Sequence, residues 1–367
     1  MPAGRWRCLD GGRASGTPGG QDSERASRTR EPCGGALSCR AMRDGSPPPV
    51  PASRRSTPRQ RVLVAVTAAI AGVLAAGSIG ATLACGGHPA SPAATGPRPV
   101  GTPPPGRVVA IGDLHADLDA ALATLQLAGV ADATGRWTGG TTVLVQTGDL
   151  TDRGPDSKEV IELLMSLRQQ AADAGGRVVP LLGNHELMNM MGDWRYVTPQ
   201  DIADFGSVDA RRAAFSVDGS LGRWLIELDV AALVDDTVFV HGGIGERFAA
   251  LGVAGINAQV DRALHGQAPP DILGEDGPLW NRALVMAPEP LACAELGRSL
   301  AALGARRMVV GHTPQPDGRI LSRCNGQLLD IDTGISPYYG RHLAALEIVD
   351  GDARAIYPEG TADLPDP

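Results

Sequence analysis

The sequence predicts an α/β domain in which buried strands alternate with helices. From residue 107 onward, short runs of Val, Leu and Ile recur, and most of them end at a glycine or a polar residue, as buried strands do. Leucines at helical spacing separate several of these runs. The polar clusters therefore follow strand ends, which is where open α/β sheets place their functional sites.

The strand and helix assignments rest on spacing alone. The predicted strands are 108–111, 142–145, 178–182, 238–240, 308–310, 328–331 and 343–349. The predicted helices contain Leu118, Leu122 and Leu125, then Val160, Ile161, Leu164 and Leu167, and finally Leu296, Leu300 and Leu303. The stretch 187–235 carries no strand of this kind, so we interpret it as a mostly helical insertion or cap.

Charge is distributed unevenly along the 367 residues. Of the 33 basic and 41 acidic residues, 12 and 5 lie in residues 1–61, which leaves the remainder with 21 and 36 and a net charge of −15. A strongly acidic body lacks the basic face that nucleic-acid binding requires, so we expect no nucleic-acid partner. The same acidity suits a protein that holds cations.

The region before the domain predicts an exported, membrane-directed protein. Residues 1–60 form an Arg-, Gly- and Pro-rich leader without apolar periodicity, which we expect to be disordered. Residues 61–85 begin with Arg61 and continue as an uncharged apolar run, a pattern typical of a secretory signal or membrane anchor. The basic side of such a segment stays in the cytoplasm, so the C-terminal body is exported. Residues 86–106 are Pro-, Gly- and Ala-rich and predict a semi-rigid tether.

The end of the apolar segment leaves three alternatives open. Residues 82–86 read Thr-Leu-Ala-Cys-Gly and resemble the cleavage site of bacterial lipoproteins, in which Cys85 would be lipidated. An uncleaved N-terminal membrane anchor and an ordinary cleaved signal are the other two. Under the first two, the protein is tethered in the bacterial periplasm or at the cell surface. Met42 is an alternative start, because a leader of this length before an apolar segment is unusual.

Two of the six cysteines, Cys293 and Cys324, lie in the predicted domain. In an exported domain they are able to form a disulfide bond, since such bonds persist in oxidising compartments. Two buried free thiols are an equal alternative, because sequence spacing does not test the geometry of a bridge.

Five short segments carry residues typical of a two-metal phosphoester hydrolase. They are GDLH at 112–115, GDLTDRG at 148–154, GNHE at 183–186, VHGG at 240–243 and GHT at 311–313. Phosphate esters resist hydrolysis because the phosphoryl group repels nucleophiles, and two cations about 3.5–4 Å apart offset that charge. A single Gly-Asp pair after a strand is usually only a turn. Only the presence of all five segments in one chain therefore indicates a metal site.

The residue types within these segments predict a ligand set for two divalent cations, with Asp149 as the carboxylate that bridges them. The first ion would be held by Asp113, His115 and Asp149. The second would be held by Asp149, Asn184, His241 and His312. Mixed nitrogen and oxygen donors suit Mn²⁺, which we expect, or Fe or Zn²⁺, better than Mg²⁺ or Ca²⁺.

Two further pairs of residues are candidates for catalysis and substrate binding. His185 is free to protonate the leaving alkoxide, and Asp152 is placed to orient its imidazole. Arg153 offers a planar fork of N–H donors for phosphate oxygens, and Asn184 is a second candidate phosphate contact.

The five segments together resemble the phosphoprotein phosphatase branch of the calcineurin-like metallophosphoesterases. The GDLTDRG form and the single histidine at Gly311-His312-Thr313 favour that branch. The segments 183–197, 278–282 and 332–336 are similar to those of the Shewanella-like protein phosphatases. The resemblance covers about residues 107–350.

This resemblance implies a four-layer αββα metallophosphoesterase sandwich with the metals at its edge. The domain would span 107–355, followed by a tail at 356–367. The resemblance also implies that Arg282 is a second phosphate-binding arginine. One position departs from the family: Ala116 stands where such proteins usually have glycine, which predicts a negative φ or an adjusted backbone there.

The function predicted is a two-metal-dependent phosphomonoester hydrolase, specifically a protein phosphatase, that uses a metal-bridging hydroxide as nucleophile. Its substrate would be a phosphorylated protein or peptide, or a small phosphoester. The same site would also serve a hydrolase of dinucleoside polyphosphates or nucleotides, which is the alternative. A third hypothesis is a non-catalytic binding lipoprotein on a phosphatase fold.

Overall fold

The computed structural model describes residues 106–367. The predicted leader, the signal or anchor with Cys85, the alternative start and all but the last residue of the tether lie outside the described residues. Within the described range, no helix is both long and apolar enough to cross a bilayer.

Strands and helices alternate in the first part of the described chain, as predicted, whereas several helices and several strands follow one another directly in the later part. The strands are β1 Val108–Ile111, β2 Val143–Gln146, β3 Arg177–Pro180, β4 Ala231–Val234, β5 Thr237–Val240, β6 Arg307–Val310, β7 Leu321–Arg323, β8 Leu328–Asp330, β9 Ala345–Val349, β10 Asp352–Tyr357 and β11 Gly360–Asp363. The helices are α1 Leu118–Leu127, α2 Ser157–Asp173, α3 Asn184–Met190, α4 Pro199–Asp204, α5 Val208–Phe215, α6 Gly222–Leu225, α7 Glu246–Ala249, α8 Gly252–Leu264, α9 Ala283–Met286 and α10 Glu289–Leu303.

The strands form two mixed sheets. The first has the order β11-β10-β9-β1-β2-β3, and the second has the order β4-β5-β6-β8-β7. In the first sheet β1, β2 and β3 are parallel and form one half of the sheet, and in the second sheet β5, β6 and β8 are parallel and form its centre. Antiparallel strands β9, β10 and β11 form the other half of the first sheet, and antiparallel β4 and β7 are the two edges of the second.

Alternate side chains of the central strands belong to different hydrophobic layers. Val108 and Ala110 of β1 share a buried cluster with Phe239 of β5 and Val309 of β6, so this layer joins the two sheets. Their neighbours along the same strands join a second cluster that contains the buried faces of the helices. This period of two follows from the alternation of side chains along a strand. The arrangement is a sandwich of two sheets with helices outside them.

The parallel strands place the candidate site at one edge of this sandwich. The five segments lie in the loops that follow β1, β2, β3, β5 and β6. Because the carboxyl ends of parallel strands lie at the same edge of a sheet, these loops come together there.

The region 187–235 and the C-terminus differ from the prediction. Helices α4, α5 and α6 lie within 187–235 but fill less than half of it, and its end forms β4, which pairs with β5. Residues 356–367, predicted as a tail, contain the end of β10 and the whole of β11. Strand β11 was missed because it lacks an apolar run: its four residues are exposed. Strand β4 was missed although its residues are apolar, because a run of four apolar residues does not distinguish a strand from a helix.

A disulfide bond joins Cys293 to Cys324, across a sequence separation of 31 residues. It connects α10 to the turn between β7 and β8. Of the two alternatives that the sequence left open, the structure has the bridge.

Candidate metal centre

Asp149 lies at the centre of the site, between two groups of buried histidines. Its Oδ2 lies 3.9 Å from His115 Nε2, and its Oδ1 lies 3.3 Å from His241 Nε2. Asp149 is 2% exposed, and both histidines are buried. One group of potential ligands is Asp149 with His115 and His185, and the other is Asp149 with His241 and His312. Because Asp149 belongs to both groups, its position suits a carboxylate that bridges two ions.

Asp113 completes the side of the site that the sequence assigned to the first ion. Its Oδ2 lies 3.9 Å from His115 Nε2. The backbone N–H of His312 donates to the same carboxylate at 3.2 Å. Asp113 therefore connects the loop after β1 with the loop after β6.

Asn184, His241 and His312 lie together on the side assigned to the second ion. Asn184 Oδ1 is 2.8 Å from His241 Nε2, and the rings of His241 and His312 are 4.8 Å apart. His241 Nδ1 is 2.9 Å from the carbonyl oxygen of Thr147, which fixes the ring orientation. His312 Nε2 is buried without a hydrogen-bond partner. A buried imidazole nitrogen without a partner is the kind of donor atom that a metal ion satisfies.

Several ligand residues have left-handed backbone conformations. The φ angles are +48° at His115, +57° at Asp149 and +68° at His312. Such angles are uncommon for residues other than glycine and cluster at functional sites, where the surrounding structure stabilises them. Of the two alternatives predicted for Ala116, the negative φ is wrong: its φ is +52°, in the left-handed region that glycine adopts more readily. Hydrogen bonds from Ala116 N to Leu150 O and from Asp156 N to Ala116 O hold it there.

Glu186 holds the loop that contains Asp149. Its carboxylate accepts hydrogen bonds from the backbone N–H groups of Gly183, Asp149, Leu150 and Thr151, at 2.8–3.1 Å. Glu186 is fully buried. The sequence placed Glu186 in a motif without assigning it a role, and the structure gives it one in positioning the bridging residue.

Glycine is required where the loops after β2 and β3 meet. A Cβ on Gly148, whose φ is +98°, would lie 2.7 Å from the Cα of Gly183. A Cβ on Gly183 would lie 2.2 Å from the backbone nitrogen of Asp149. The two glycines thus allow the loops to approach closely enough for Asp149 and Asn184 to share one site.

The acidic residues of the site repel one another. Burial and the neighbouring carboxylates Asp332 and Asp149 raise the pKa of Asp113 well above its ordinary value. Burial and Asp149 raise the pKa of Asp332 to about 7. Burial also acts to raise the pKa of Asp149, but His241 and His185 outweigh it and hold that pKa well below its ordinary value. Divalent cations would offset the repulsion among these buried carboxylates.

Two of the site's histidines, His115 and His312, have pKa values that favour the neutral form. Burial lowers the pKa of His115 to about 4, and burial together with His241 lowers the pKa of His312 to about 2. Neutral imidazole is the form that binds metals. Buried carboxylates, neutral histidines and a histidine nitrogen without a partner therefore fit a site for divalent cations.

His185 and Asp152 form a hydrogen-bonded pair beside Asp149. His185 Nδ1 is 2.6 Å from Asp152 Oδ2, and His185 Nε2 is 3.8 Å from Asp149 Oδ2. Burial lowers the pKa of His185, but Asp149 and Asp152 outweigh it and raise the pKa above its ordinary value. The imidazole is 5% exposed. Because Asp152 accepts from Nδ1, the second nitrogen is the one turned toward the ligands.

Both candidate phosphate-binding arginines lie at the site. Arg282 donates through Nε and Nη2 to the carbonyl oxygen of His312, at 3.2 and 3.0 Å. The Nε atom of Arg153 is buried without a hydrogen-bond partner. Arg153 stacks on Tyr196, with its Cζ atom 3.8 Å from the ring centroid, and its Nη1 atom is 3.2 Å from the hydroxyl of Tyr338.

The structure thus brings all the sequence-predicted site residues together. It adds residues that the sequence did not assign, namely Glu186, Asp332, Asn189, Tyr196, Tyr338 and Tyr339. The segment with Asp332 was noted for its resemblance, but nothing in the pattern indicated that its carboxylate lies next to Asp113.

Residues 106–316 match the calcineurin-like phosphoesterase family. The chain belongs to that family. It is a metal-binding phosphatase with the family's α/β fold, and the predicted fold class and enzyme class are confirmed.

Relatives from distant organisms share most of the described domain. An uncharacterised protein of Schizosaccharomyces pombe is 38% identical over 263 residues, which cover 68% of this chain and 79% of that protein. Shewanella-like protein phosphatase 2 of Arabidopsis thaliana is 33% identical over 285 residues, which cover 63% of this chain and 72% of that protein. The predicted resemblance to Shewanella-like protein phosphatases is therefore confirmed.

A solved structure supports the same conclusion. The cold-active protein-tyrosine phosphatase of a psychrophilic Shewanella species superimposes with a TM-score of 0.62 at 28% sequence identity. The superposition covers 70% of this chain and 80% of that one.

Proposed function

We propose that this protein is a two-metal-dependent phosphomonoester hydrolase that acts on phosphoproteins. The observation that carries the proposal is the position of Asp149, whose two carboxylate oxygens lie 3.9 Å from His115 Nε2 on one side and 3.3 Å from His241 Nε2 on the other. The His185–Asp152 pair lies directly beside it. A shared carboxylate and an adjacent proton donor are what hydrolysis of a phosphate ester by two cations requires.

The residues that would hold the cations are those that the sequence assigned. Asp113, His115 and Asp149 would hold one ion, and Asp149, Asn184, His241 and His312 the other. Mn²⁺ suits this mixture of nitrogen and oxygen donors, and Fe or Zn²⁺ is the alternative. When bound, the cations would offset the charge of the phosphoryl oxygens and promote attack by water on phosphorus.

His185 would deliver a proton to the leaving oxygen. Asp152 accepts from Nδ1, so Nε2 carries the transferable proton toward the substrate. The raised pKa of His185 favours the protonated form that a general acid needs at neutral pH. No nucleophilic side chain is required, and we expect no covalent intermediate.

Arg153 and Arg282 would bind the phosphate oxygens that do not react. Arg153 has a free Nε donor, and the guanidinium of Arg282 lies against the backbone of the candidate ligand His312. A planar guanidinium offers paired donors that match the spacing of phosphate oxygens.

Phosphotyrosine is the substrate residue that we propose. Three of the chain's four tyrosines, Tyr196, Tyr338 and Tyr339, surround Arg153 and His115. Tyr338 is 60% exposed, although it contacts Arg153. An exposed aromatic ring beside a phosphate site provides a stacking surface for the ring of phosphotyrosine, which phosphoserine lacks.

The experiment is an activity panel on the purified domain with Mn²⁺, Fe²⁺, Zn²⁺ or Mg²⁺. The substrates are matched phosphotyrosine, phosphoserine and phosphothreonine peptides, a dinucleoside tetraphosphate and p-nitrophenyl phosphate. We expect the highest kcat/KM on the phosphotyrosine peptide. Preferential turnover of the dinucleoside tetraphosphate would replace the proposal by the nucleotide-hydrolase alternative. Inactivity on every substrate with every metal would support the non-catalytic binding lipoprotein.

We further propose that the protein works outside the cytoplasm, tethered to the membrane by a lipid on Cys85 or by an uncleaved anchor. The basic and apolar pattern of residues 54–85 supports this, as does the Cys293–Cys324 disulfide, since such bonds are rare in reducing compartments. Fractionation of the full chain and its Cys85→Ala variant tests it. Loss of the membrane fraction in the variant indicates lipidation, whereas wild-type protein in the cytosol contradicts the proposal.

A further inference from the structure

Arg211 is buried in the helical region that covers one side of the site. It lies in α5, its side chain is fully buried, and its guanidinium packs 4.4 Å from the ring centroid of Phe215. Its Nε donates to Asp201 at 2.7 Å. A buried arginine is costly unless its charge and donors are used, so the remaining donors of Arg211 indicate a role.

Hydrogen bonds connect Arg211 to the His185–Asp152 pair through Asn189. Arg211 Nη1 donates to Asn189 Oδ1 at 2.6 Å. Asn189 Nδ2 in turn donates to Asp152 Oδ1 at 2.9 Å and to the carbonyl oxygen of His185 at 2.9 Å. The other carboxylate oxygen of Asp152 accepts from His185 Nδ1 at 2.6 Å. A continuous hydrogen-bonded chain therefore connects α5 to the imidazole.

The chemistry of the groups fixes the direction of every bond in this chain. Arginine only donates hydrogen bonds and an ionised carboxylate only accepts them. The oxygen of the Asn189 amide must therefore face Arg211, and its nitrogen must face Asp152. The positive charge of Arg211 also lies close to Asp152, with Nη2 3.8 Å from Oδ1. Arg211 thus determines the amide orientation that holds the carboxylate.

We propose that Arg211 is a positioning residue for proton transfer, acting through Asn189 and Asp152 to hold the imidazole of His185 toward the leaving oxygen. The inference rests on the proposed role of His185 as general acid. Arg211 lies outside the five segments, in the helical region, and contacts neither the candidate ligands nor the candidate phosphate-binding arginines. Its proposed effect on proton transfer is therefore indirect.

The test compares substrates that differ in their need for a proton. Dinitrophenyl phosphate has a leaving group stable as an anion, whereas phenyl phosphate needs protonation of its leaving oxygen. We expect Arg211→Met to lower kcat on phenyl phosphate by about 10–10²-fold, the usual effect of removing a supporting contact. On dinitrophenyl phosphate we expect a loss of less than about threefold. A structural defect would lower both rates equally, and that result would overturn the inference.

Asn189→Leu keeps the inference testable if Arg211→Met fails to fold. It removes the relay itself and is expected to give the same difference between substrates. In the double variant the loss should not exceed that of the more damaging single variant, because both act on one chain of contacts. If the loss of kcat in the double variant were the product of the two single losses, the two residues would act independently, which would contradict the proposal that Arg211 acts through Asn189. Arg212→Met, the same substitution at the next and exposed position, is the matched control and should change neither rate.

His185→Asn separates failure of this inference from failure of the proposed function. If His185→Asn lowers both rates equally, the general-acid role is wrong and the inference falls with it. If His185→Asn lowers only the phenyl phosphate rate but Arg211→Met does not, the proposed function stands and only the role of Arg211 is wrong.

Discussion

The imidazole of His185 has one expected task, the delivery of a proton, and removing it tests that task directly. Asn at this position keeps a side chain of similar polarity but no acidic proton. His185→Asn should therefore retain metal binding and lower kcat on alkyl phosphates and phosphopeptides by about 10²–10⁴-fold. Steady-state kinetics together with metal analysis of the purified variant checks both parts. Near-normal turnover on a poor leaving group would show that another residue supplies the proton.

Replacing Glu186 tests how much its hydrogen bonds to the loop that contains Asp149 stabilise the fold. Replacing it by alanine leaves four buried backbone N–H groups without an acceptor. Each unsatisfied group costs about 1–3 kcal/mol, so Glu186→Ala should lower the free energy of unfolding by at least about 3 kcal/mol. Urea unfolding measures this, with Glu162→Ala, an exposed position on α2, as the control. Equal midpoints for the two variants would show that the carboxylate is dispensable.

Replacing Tyr338 tests whether the aromatic side chains beside Arg153 contribute to the binding of phosphotyrosine. Its ring lies 4.8 Å from the guanidinium of Arg153, and its hydroxyl contacts the same group. Aromatic contacts of this kind contribute about 0.5–1.5 kcal/mol, so Tyr338→Ala should raise KM for a phosphotyrosine peptide by about 2–12-fold. Tyr338→Phe keeps the ring and should have the smaller effect. An equal rise in KM for a matched phosphoserine peptide would assign the residue to phosphate binding alone.

The positions of the candidate ligands were predictable because each follows a strand in a recognisable segment, as Asp113 and His241 do. The supporting residues were not. Arg211 is ordinary in sequence, and its relation to Asp152 arises only when α5 packs against the loop after β2. Chemistry that depends on one short segment is visible in the sequence, whereas chemistry that depends on packing between segments is not.

Among the elements, the disulfide between α10 and the β7–β8 turn offers a test of stability. It closes a loop across 31 residues. The loss of chain entropy in the unfolded state predicts a stabilisation of about 3–4 kcal/mol for a loop of this length. Replacing both Cys293 and Cys324 by alanine should lower the free energy of unfolding by that amount. Urea unfolding of the variant and of wild-type protein under reducing conditions should agree, and an unchanged midpoint in both would contradict the prediction.

Most strands with continuous apolar runs were found in the sequence, β4 being missed because a short apolar run does not distinguish a strand from a helix, and strands without such runs were missed. The predicted runs 108–111 and 308–310 lie within or coincide with β1 and β6, which are buried on both faces. Strand β11 is exposed and pairs only with β10 at the sheet edge, so it needs no apolar residues. Edge strands form through backbone pairing to a neighbour, which leaves little trace in the side-chain pattern.

At the scale of the whole molecule, both sheets contribute to one acidic site, and its stability should depend on the cations. Metal that binds only the folded protein stabilises it by about 2.7 kcal/mol at a free concentration 100 times Kd. Removal of metal by EDTA should therefore lower the unfolding temperature, and addition of Mn²⁺ should restore it. An unfolding temperature that is the same with EDTA and with excess Mn²⁺ would contradict a metal site that joins the sheets.

The metal-free protein should also lose stability as pH rises. In the metal-free fold the pKa of Asp332 is raised from 3.8 to about 7, so the folded state disfavours its ionised form. This contribution to stability is present below about pH 4 and is lost as pH rises through 7. Between pH 5 and pH 8 in EDTA, wild-type protein should thus lose stability relative to Asp332→Asn, in urea unfolding. Asp363→Asn, on the exposed β11, should follow the wild type. Parallel changes in wild type and Asp332→Asn would show that repulsion among the buried carboxylates is not what the cations relieve.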